Sequence, residues 1–584
     1  MAGRSGRARI ALAVIVVLAV VAVFVVRLVD IQIVQADEYN EESHSKRART
    51  LVTYGERGDI VDANGAILAD SVLRYDIIAS PRVALKRADA ATSVLLDLTS
   101  IAGITGQDPA VMLTDFTADP DSDFVYVSKG LSLEQYEKVV ALEIPWASAE
   151  RRPSRTYPNG ELAANLVGFL GTDGAQAGVE KTQNDCLAST NGSASYESAE
   201  DGTQLPGSVI TTQEPIDGGT LRLTIDRDLQ FFTQQRMEQT AMQLGATWAT
   251  AVVMRVSDAH LMAVADWPTF DANDINNAPR DANGDRALGS RAFSIPYEPG
   301  STMKALTAAT LIDAGVASPD TQVVSPYKLP QSDGSFIKDS SPHATINLTM
   351  TGALVRSSNT AIAALTDLLP AQQRHDSMAS FGLGALTEVG FLGESRGQLA
   401  DADDWFGRTN YAVQFGQGLS TTSVQVASIY QTFANGGVRE PVVLVEGCEH
   451  DDGTVTNLPP TEGTRVIKES TADQVVAMLE QVANFGYGHR DTQIPGYRAA
   501  VKSGTAQVAL PGGAGYGDAV VLSYAGLAPA DDPQYVVVVT AGIPNSTLGS
   551  DRIAATWSDV MSQTLTSFRV QPSTSPAPTL PQTW

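Results

Sequence analysis

Cysteine and histidine are scarce in this chain of 584 residues, which contains two cysteines, Cys186 and Cys448, and six histidines. Two cysteines exclude a fold held together by a disulfide framework, although they leave one bridge open, and we place them in different domains. No pair of histidines has the His-Glu-x-x-His spacing or a comparable one. The sequence therefore predicts neither a metal site nor a cofactor.

Positive charge is also in short supply. Lysine and arginine number 40 against 66 aspartates and glutamates, which gives a net charge of −26. Such a surface repels phosphate-bearing polymers and headgroups, which argues against nucleic acid or anionic lipid as a partner. The same charge helps to keep an exposed domain soluble.

The N-terminus carries an unbroken apolar run, residues 10–26, at the short end of what crosses a bilayer. Arg4, Arg7 and Arg9 precede the run, whereas the acidic Asp30 follows it. Because positive charge stays on the cytoplasmic side, this arrangement predicts a single-pass segment with a cytoplasmic N-terminus and the rest of the chain outside.

A cleaved signal peptide shares these features and is the competing interpretation. The nearest small-x-small site, Val34-Gln-Ala36, lies several residues beyond the run. We therefore favour a retained anchor, residues 1–35.

The run Glu298-Pro-Gly-Ser-Thr-Met-Lys304 places a serine and a lysine three residues apart at the start of a predicted helix. Positions i and i+3 share one face of a helix, so the hydroxyl of Ser301 and the amine of Lys304 are expected to meet in one pocket. Burial disfavours the charged ammonium, which would let Lys304 act as a neutral base on a serine nucleophile.

Two further elements follow this run in order. Ser357-Ser-Asn359 precedes a second helical segment, and Lys502-Ser-Gly-Thr505 is the only Lys-Ser/Thr-Gly run in the chain and lies in a predicted strand. The serine–lysine spacing alone is weak, because it also occurs, in polar settings typical of solvated surface, at Ser43-x-x-Lys46, Ser325-x-x-Lys328 and Ser335-x-x-Lys338. The ordered triple distinguishes Ser301 from these pairs.

The ordered triple of motifs resembles the signature of the penicillin-binding protein and serine β-lactamase superfamily. Other segments are similar to the class B penicillin-binding proteins: Arg57-Gly-Asp-Ile-Val-Asp-Ala-Asn-Gly65, Arg155-Thr-Tyr-Pro158 and Gly178-Val-Glu180. The resemblance covers nearly the whole chain after the anchor. It implies a serine-type D-Ala-D-Ala transpeptidase that binds penicillin covalently.

The resemblance implies a division of roles in acylation. Ser301 attacks the carbonyl of a terminal D-alanyl-D-alanine, and Lys304 accepts its proton as general base. Ser357 relays a proton to the departing D-alanine nitrogen, and Lys502 holds that relay electrostatically. The backbone N–H groups of Ser301 and Thr505 form the oxyanion hole.

The remaining motif residues are expected to bind the substrate. Asn359 orients Lys304 and the peptide. Ser503 keeps a hydroxyl where the motif often has threonine, and the Thr505 hydroxyl receives the substrate carboxylate. Gly504 leaves room for the substrate backbone beside the strand.

Two segments that are absent from the sequence narrow the choice among classes of this superfamily. No Glu-Asp-x-x-Phe-x-x-His-type segment precedes the catalytic region, which argues against a fused glycosyltransferase of the class A kind. No Glu-x-x-Leu-Asn run of the kind that activates deacylating water in class A β-lactamases lies between Asn359 and Lys502. We therefore expect a monofunctional class B transpeptidase. The alternatives are a lateral-wall class B enzyme, a β-lactam sensor or hydrolase, and a non-catalytic scaffold.

The expected fold class is α+β, with strands from both ends of the catalytic domain in one sheet. We place a mainly β pedestal or dimerisation domain at residues 36–215 and a transpeptidase domain of the penicillin-binding, serine β-lactamase-like fold at residues 216–569. Residues 570–584 are rich in proline, serine and threonine, have little to bury, and are predicted to form a disordered tail.

The resemblance to class B penicillin-binding proteins also implies partners and a location. Peptidoglycan stem peptides ending in D-Ala-D-Ala are the expected substrate, and β-lactam antibiotics are the expected inhibitors, on the outer side of the cell membrane. A SEDS-type membrane glycosyltransferase and divisome proteins are the expected protein partners. Septal cell-wall synthesis is the favoured setting.

Overall fold

The computed structural model describes residues 4–37, 39, 48–86, 90–171, 173–197, 207–281, 284–331, 334–510, 515–544 and 547–584. Ser43 and Lys46, one of the three alternative serine–lysine pairs, lie outside these residues. The helices are α1 (Arg4–Val29), α2 (Pro81–Ala84), α3 (Ala90–Thr105), α4 (Pro109–Thr117), α5 (Leu133–Val140), α6 (Ala164–Val167), α7 (Gly178–Thr182), α8 (Asn184–Leu187), α9 (Arg227–Leu244), α10 (Arg291–Ser294), α11 (Lys304–Asp313), α12 (Met350–Arg356), α13 (Asn359–Thr366), α14 (Ala371–Ser380), α15 (Thr409–Ala412), α16 (Ser423–Ala434), α17 (Glu469–Phe485) and α18 (Ala554–Ser567).

The strands are β1 (Ala48–Thr53), β2 (Ile60–Val61), β3 (Ile67–Ala79), β4 (Val125–Leu131), β5 (Ala147–Thr156), β6 (Leu170–Gly171), β7 (Gly174–Ala175), β8 (Gly192–Glu197), β9 (Ile210–Gln213), β10 (Thr220–Leu223), β11 (Trp248–Arg255), β12 (Leu261–Trp267), β13 (Gln322–Ser325), β14 (Lys328–Pro330), β15 (Phe336–Lys338), β16 (Ile346–Thr349), β17 (Val438–Arg439), β18 (Val445–Glu449), β19 (Val455–Thr456), β20 (Thr464–Arg465), β21 (Ala500–Ala509), β22 (Tyr516–Ala528) and β23 (Tyr535–Ile543).

The N-terminal helix α1 stands apart from the rest of the chain. Together with the π-helical turn Asp30–Val34 it forms one apolar span, Gly6–Val34, that is exposed along its length. No other helix in the described ranges is long and apolar enough to cross a bilayer. A helix that is apolar all round and buries nothing in the protein fits a single-pass membrane anchor.

The pedestal is built on a seven-stranded sheet whose path is β19-β18-β10-β2-β3-β4, with β5 also paired to β3. Helices α3, α4 and α5 pack beside β3 and β4 around a separate apolar core that includes Leu98, Phe116 and Trp146. Strands β10 and β18 belong to the region assigned to the catalytic domain. The two predicted domains therefore share a sheet across the proposed boundary at residue 215.

The turn at Asn64-Gly65 joins β2 to β3, which pair antiparallel. Only Gly65 has a positive φ, +83°. The Oδ1 atom of Asp62 accepts the backbone N–H groups of Asn64 and Ala66, at 2.8 and 2.7 Å. Its Oδ2 accepts the N–H of Arg227 at 2.9 Å, at the start of α9. One aspartate thus forms the turn and fastens it to the catalytic region.

A buried carboxylate joins the three pedestal segments that carry the class B resemblance. Glu180 is fully buried, and its Oε2 accepts from Arg57 Nε and its Oε1 from Arg155 Nε, each at 2.7 Å. The hydroxyl of Tyr157 donates to the same Oε1 at 3.3 Å. Because two guanidinium groups and a phenol surround it, this buried charge is paired and hydrogen-bonded as burial requires.

The catalytic region centres on a five-stranded antiparallel sheet in the order β12-β11-β23-β22-β21. Helices α9 and α18 contact its strands, as do α16 and α17. All nine residues of β23 are buried, which explains its continuous apolar sequence. Strands from both ends of the domain meet in this sheet, so the predicted α+β class is confirmed.

The two cysteines form a disulfide, Cys186–Cys448, between residues 262 positions apart. Cys186 lies in α8 of the pedestal and Cys448 in β18, so the bridge that the sequence left open joins the two predicted domains. Neither half-cystine is exposed to solvent by more than 4%.

The C-terminal segment, residues 570–584, is packed against the folded domain and is not the disordered tail that the composition predicted. The N–H of Ser573 donates to Gly496 O at 3.0 Å, and Gln481 Nε2 donates to Pro578 O at 2.6 Å. Thr583 forms an isolated bridge with Leu348. A proline lacks an N–H donor but keeps its carbonyl, and here the carbonyls of Pro578 and Pro581 accept hydrogen bonds from the folded domain.

Candidate active site

Ser301 lies on the 3₁₀ turn Gly300–Met303, directly before α11. Gly300 has φ +56°, and a Cβ atom there would lie 3.1 Å from the carbonyl oxygen of Thr505. The N–H of Gly300 donates to Gly416 O at 2.9 Å. Gly300 thus lies close against strand β21, and in a 3₁₀ turn positions i and i+3, here Ser301 and Lys304, share one side.

Lys304 is fully buried at the start of α11. Its Nζ donates to the backbone oxygen of Ser357 at 2.5 Å and to the Ser357 Oγ at 3.3 Å. Burial lowers the pKa of Lys304 well below its ordinary value, and the nearby ammonium of Lys502 lowers that pKa further, against the opposing charge of Asp339. The predicted neutral base thus has a physical origin in this site.

Ser357 lies between the two lysines. It ends α12 in the left-handed conformation, with φ 54° and ψ 37°, which turns the chain sharply before α13. Lys502 Nζ donates to the Ser357 Oγ at 3.1 Å and to Ser503 O at 3.0 Å. Burial lowers the pKa of Lys502 to about 7. Two buried ammonium groups on one hydroxyl repel each other, so neutral pH favours at most one charge on the pair.

Asn359 begins α13, two residues after Ser357. Its Nδ2 donates to the carbonyl of Lys338 at 3.0 Å. Within the described ranges its side chain makes no hydrogen bond to Lys304, which differs from the expected orienting contact. The amide oxygen and the second N–H of Asn359 are the parts of this side chain left for a substrate.

Gly504 has a different surrounding from the one predicted. A Cβ atom at Gly504 would lie 2.3 Å from Ser523 Oγ and 2.6 Å from Pro299 O. Its missing side chain therefore makes room for the turn that carries Ser301, rather than for a substrate backbone. On the same strand Ser503 is buried, whereas Thr505 is exposed.

The sequence did not indicate a cluster of polar groups beneath the Ser357-Ser-Asn359 turn. Ser325, predicted to be solvated surface, is fully buried. Its Oγ lies 2.8 Å from the Ser358 Oγ and 3.0 Å from the Thr360 Oγ1. The buried carboxylate of Asp339 lies at the centre of this cluster. Asp339 belongs to no motif, so its role could be found only from the fold.

The site combines a half-buried serine at the start of a helix with a cluster of one serine and two lysines. A strand that bears Lys-Ser-Gly-Thr, on an antiparallel sheet covered by helices, forms its other side. This combination is the fold and site of a penicillin-binding serine acyltransferase. Residues 249–562 match the penicillin-binding protein transpeptidase domain, and residues 52–223 match the penicillin-binding protein dimerisation domain. The chain belongs to the class B penicillin-binding proteins.

Relatives support this assignment over most of the chain. Penicillin-binding protein PbpB of Mycobacterium tuberculosis is 34% identical over 515 residues, which is 85% of this chain and 75% of the relative. Peptidoglycan D,D-transpeptidase FtsI of Escherichia coli is 28% identical over 518 residues, which is 88% of this chain and 84% of the relative. Penicillin-binding protein 3 of M. tuberculosis in complex with ampicillin is similar in structure, with a TM-score of 0.70 and 28% identity, and the match covers 91% of this chain and all of that one.

Proposed function

We propose that this protein is a peptidoglycan D,D-transpeptidase that cross-links stem peptides through an acyl-serine intermediate. The observation that carries the proposal is the placement of Ser357 Oγ 3.3 Å from Lys304 Nζ and 3.1 Å from Lys502 Nζ, beside the turn that carries Ser301. With these groups, Lys304 can take a proton from Ser301, and Ser357 can pass a proton to a leaving amine. Both transfers are required when an amide is exchanged through an ester.

The proposed acylation uses these groups in turn. The Oγ of Ser301 attacks the carbonyl carbon of the penultimate D-alanine, and neutral Lys304 takes the hydroxyl proton. The bond from that carbon to the terminal D-alanine nitrogen then breaks, and the Ser357 hydroxyl passes a proton to the departing amine. Lys502 replaces that proton or stabilises the charge that develops on Ser357.

Transfer reverses these steps with a different amine. The amine of a second stem peptide attacks the ester carbonyl, loses its proton through the same residues and releases Ser301 with its hydroxyl restored. The backbone N–H groups of Ser301 and Thr505 are the proposed donors to the oxyanion in both halves. The hydroxyls of Ser503 and Thr505 and the amide of Asn359 are the proposed contacts to the peptide.

Septal rather than lateral-wall synthesis is the proposed setting. Similarity to PbpB and FtsI along more than four-fifths of this chain supports it. A β-lactam hydrolase on the same fold is less well supported, because the chain lacks the Glu-x-x-Leu-Asn run between Asn359 and Lys502.

The proposed orientation places the N-terminus in the cytoplasm and the catalytic sheet outside. Arg4, Arg7 and Arg9 precede the span Gly6–Val34 or lie at its start, which supports this direction. An anchored transpeptidase needs glycan made close to the membrane. A SEDS-type glycosyltransferase and divisome proteins are therefore the proposed partners of the anchor and pedestal.

Covalent labelling tests the proposed function. We expect a fluorescent penicillin to add one acyl group to the wild-type protein, and peptide mass spectrometry to locate it on Ser301. Ser301→Ala should remain unlabelled. Ser335→Ala, which alters another serine that lies three residues before a lysine, is the matched control and should label normally. Adducts on any other serine, or none, would overturn the assignment.

Product analysis separates a transpeptidase from a hydrolase. We expect wild-type protein incubated with a stem-peptide thioester and a D-amino acid to form the exchanged amide, whereas Ser301→Ala forms none. Rapid hydrolysis of a chromogenic cephalosporin without exchange would favour the hydrolase instead.

A further inference from the structure

A single carboxylate holds the turn that presents the Ser357-x-Asn359 motif. Asp339 Oδ1 accepts the backbone N–H of Asn359 at 2.5 Å and that of Thr360 at 3.0 Å. Asp339 Oδ2 accepts the hydroxyl of Ser358 at 2.8 Å. These donors span the end of the turn and the start of α13, where unpaired N–H groups attract negative charge.

The Asp339 side chain is 9% exposed, and in the described part of the chain its one ion-pair partner is a histidine. His343 Nε2 lies 2.9 Å from Asp339 Oδ2. The other ring nitrogen, Nδ1, lies 2.7 Å from the backbone oxygen of Ala344. An ionised carboxylate and a carbonyl can only accept hydrogen bonds, so both contacts are satisfied only when both ring nitrogens carry protons.

The surroundings of His343 agree with the imidazolium form. The pKa of His343 is raised by the contact with the Ala344 carbonyl and, further, by Asp339. Burial of the ring and the charge of Arg356 on α12 act in the opposite direction, but the net shift is upward. The ring of Tyr327 meets the imidazole edge-on at 6.0 Å between ring centres. His343 is 23% exposed, so it exchanges protons with solvent.

The same carboxylate also reaches the catalytic lysine electrostatically. The charge of Asp339 favours the ammonium form of Lys304, against the effect of burial. A protonated His343 offsets that charge. It also fixes the Asp339 side chain, on which the position of the turn beside Lys304 depends.

We propose that protonated His343 is a positioning residue for acyl transfer, which acts through Asp339 on the Ser357–Asn359 turn and makes the acylation rate depend on its own charge. The proposal rests on the proposed function. His343 touches no reacting atom. It holds the carboxylate that holds the turn.

The test is the pH profile of penicillin acylation for wild type, His343→Gln and His343→Lys in the full-length protein. Gln keeps a hydrogen-bond donor but no charge, whereas Lys keeps a cation throughout. We expect His343→Gln to acylate about five to ten times more slowly than wild type near pH 6 and within about twofold of it near pH 9, because wild type loses the same proton. His343→Lys should remain within about twofold of wild type near pH 6.

The control is His375→Gln on α14, which also removes a histidine beside an aspartate, Asp376, at 3.4 Å. The acylation rate of His375→Gln should be close to that of wild type at every pH. In an Asp339→Asn background, His343→Gln should have no further effect on the rate. Thermal melting of each variant measures folding separately.

Two results would overturn the proposal. One is a rate ratio of His343→Gln to wild type that is constant with pH, as a purely structural contact would give. The other is equal slowing by His343→Gln and His343→Lys near pH 6. Failure of wild type to acylate at Ser301 is a different outcome, because it would overturn the proposed function itself.

Discussion

At the scale of single residues, the two buried lysines have distinct environments although both contact Ser357. Lys304→Arg should lower penicillin acylation by about a thousandfold or more, because a guanidinium cannot lose a proton in this pH range. Lys502→Arg keeps the positive charge and should leave measurable acylation, reduced about tenfold to a hundredfold. Stopped-flow fluorescence with a labelled penicillin measures both rates.

The exposed Lys138, which pairs with Glu134 on α5, supplies the control. Lys138→Arg should acylate at the wild-type rate. An equal loss in the Lys304 and Lys502 variants would contradict the proposed division of roles.

The burial of Lys502 also predicts how stability changes with pH. Its folded-state pKa is lowered to about 7 from 10.5, so the unfolded chain binds more protons than the folded protein between these values. Its contribution is therefore fully present above about pH 10.5 and is lost as pH falls to about 7. As pH falls from about 10 to 7, the free energy of unfolding of Lys502→Met should rise relative to that of wild type by up to about 4 kcal/mol. Thermal melting at each pH measures this, and a difference independent of pH would contradict it.

The sequence indicated the proposed catalytic residues but not the residues that support them. Ser301, Lys304, Ser357 and Lys502 belong to spaced motifs, and the structure brings the last three together by hydrogen bonds. Asp339 lies in a polar stretch with no periodicity. Its partners come from strand β13, from the turn at Ser357 and from the loop that follows Asp339 itself. Only tertiary folding brings these segments together.

At the scale of elements, the C-terminal segment packs against the helix that ends at Ser357. Thr349, the N-cap of α12, donates its hydroxyl to Pro581 O at 2.6 Å and its N–H to Gln582 O at 3.1 Å. A Cβ atom at Gly352 would lie 1.9 Å from that Gln582 oxygen. Composition predicted disorder here because it counts apolar side chains, whereas this segment is held largely through its backbone.

Removal of residues 577–584 should therefore loosen α12. We expect a loss of about 2 to 3 kcal/mol in stability, from the broken hydrogen bonds and the exposed helix start. Acylation should slow as well, because α12 positions Ser357. Melting and acylation rates measure the two effects. Removal of Trp584 alone keeps both Thr349 contacts and should change neither, and normal acylation without residues 577–584 would show that α12 does not depend on the segment.

At the scale of the whole molecule, the Cys186–Cys448 bridge links two regions that are distant in sequence. Replacing both cysteines by serine should cost about 3 to 5 kcal/mol, because the bridge closes a long loop in the unfolded chain. Calorimetry of the oxidised protein and the double variant measures the change. Identical melting curves would mean that the bridge adds nothing beyond the shared sheet.

The anchor gives a separate prediction at this scale. Deletion of residues 1–35 should release a soluble protein that still binds penicillin at the wild-type rate, because the motif residues all follow residue 300. In cells this protein should restore cross-linking poorly, because it no longer stays near lipid-borne substrate. Fractionation in high salt checks the anchor itself, since salt weakens ionic contacts but not apolar burial. Loss of the full-length protein from membranes in high salt would contradict it.

Strands β2, β10 and β18 are neighbours in one sheet that both regions share. This has a practical consequence for the design of protein fragments. A fragment that begins at residue 216 contains β10 without β2, and so presents a new unpaired strand edge beside a free Cys448 thiol. Exposed strand edges pair with other chains, and free thiols form bridges between molecules. Such a fragment is expected to aggregate on purification, whereas one that begins at residue 36 retains both partners. The smallest unit of this enzyme that we expect to be isolated in soluble form therefore includes its pedestal.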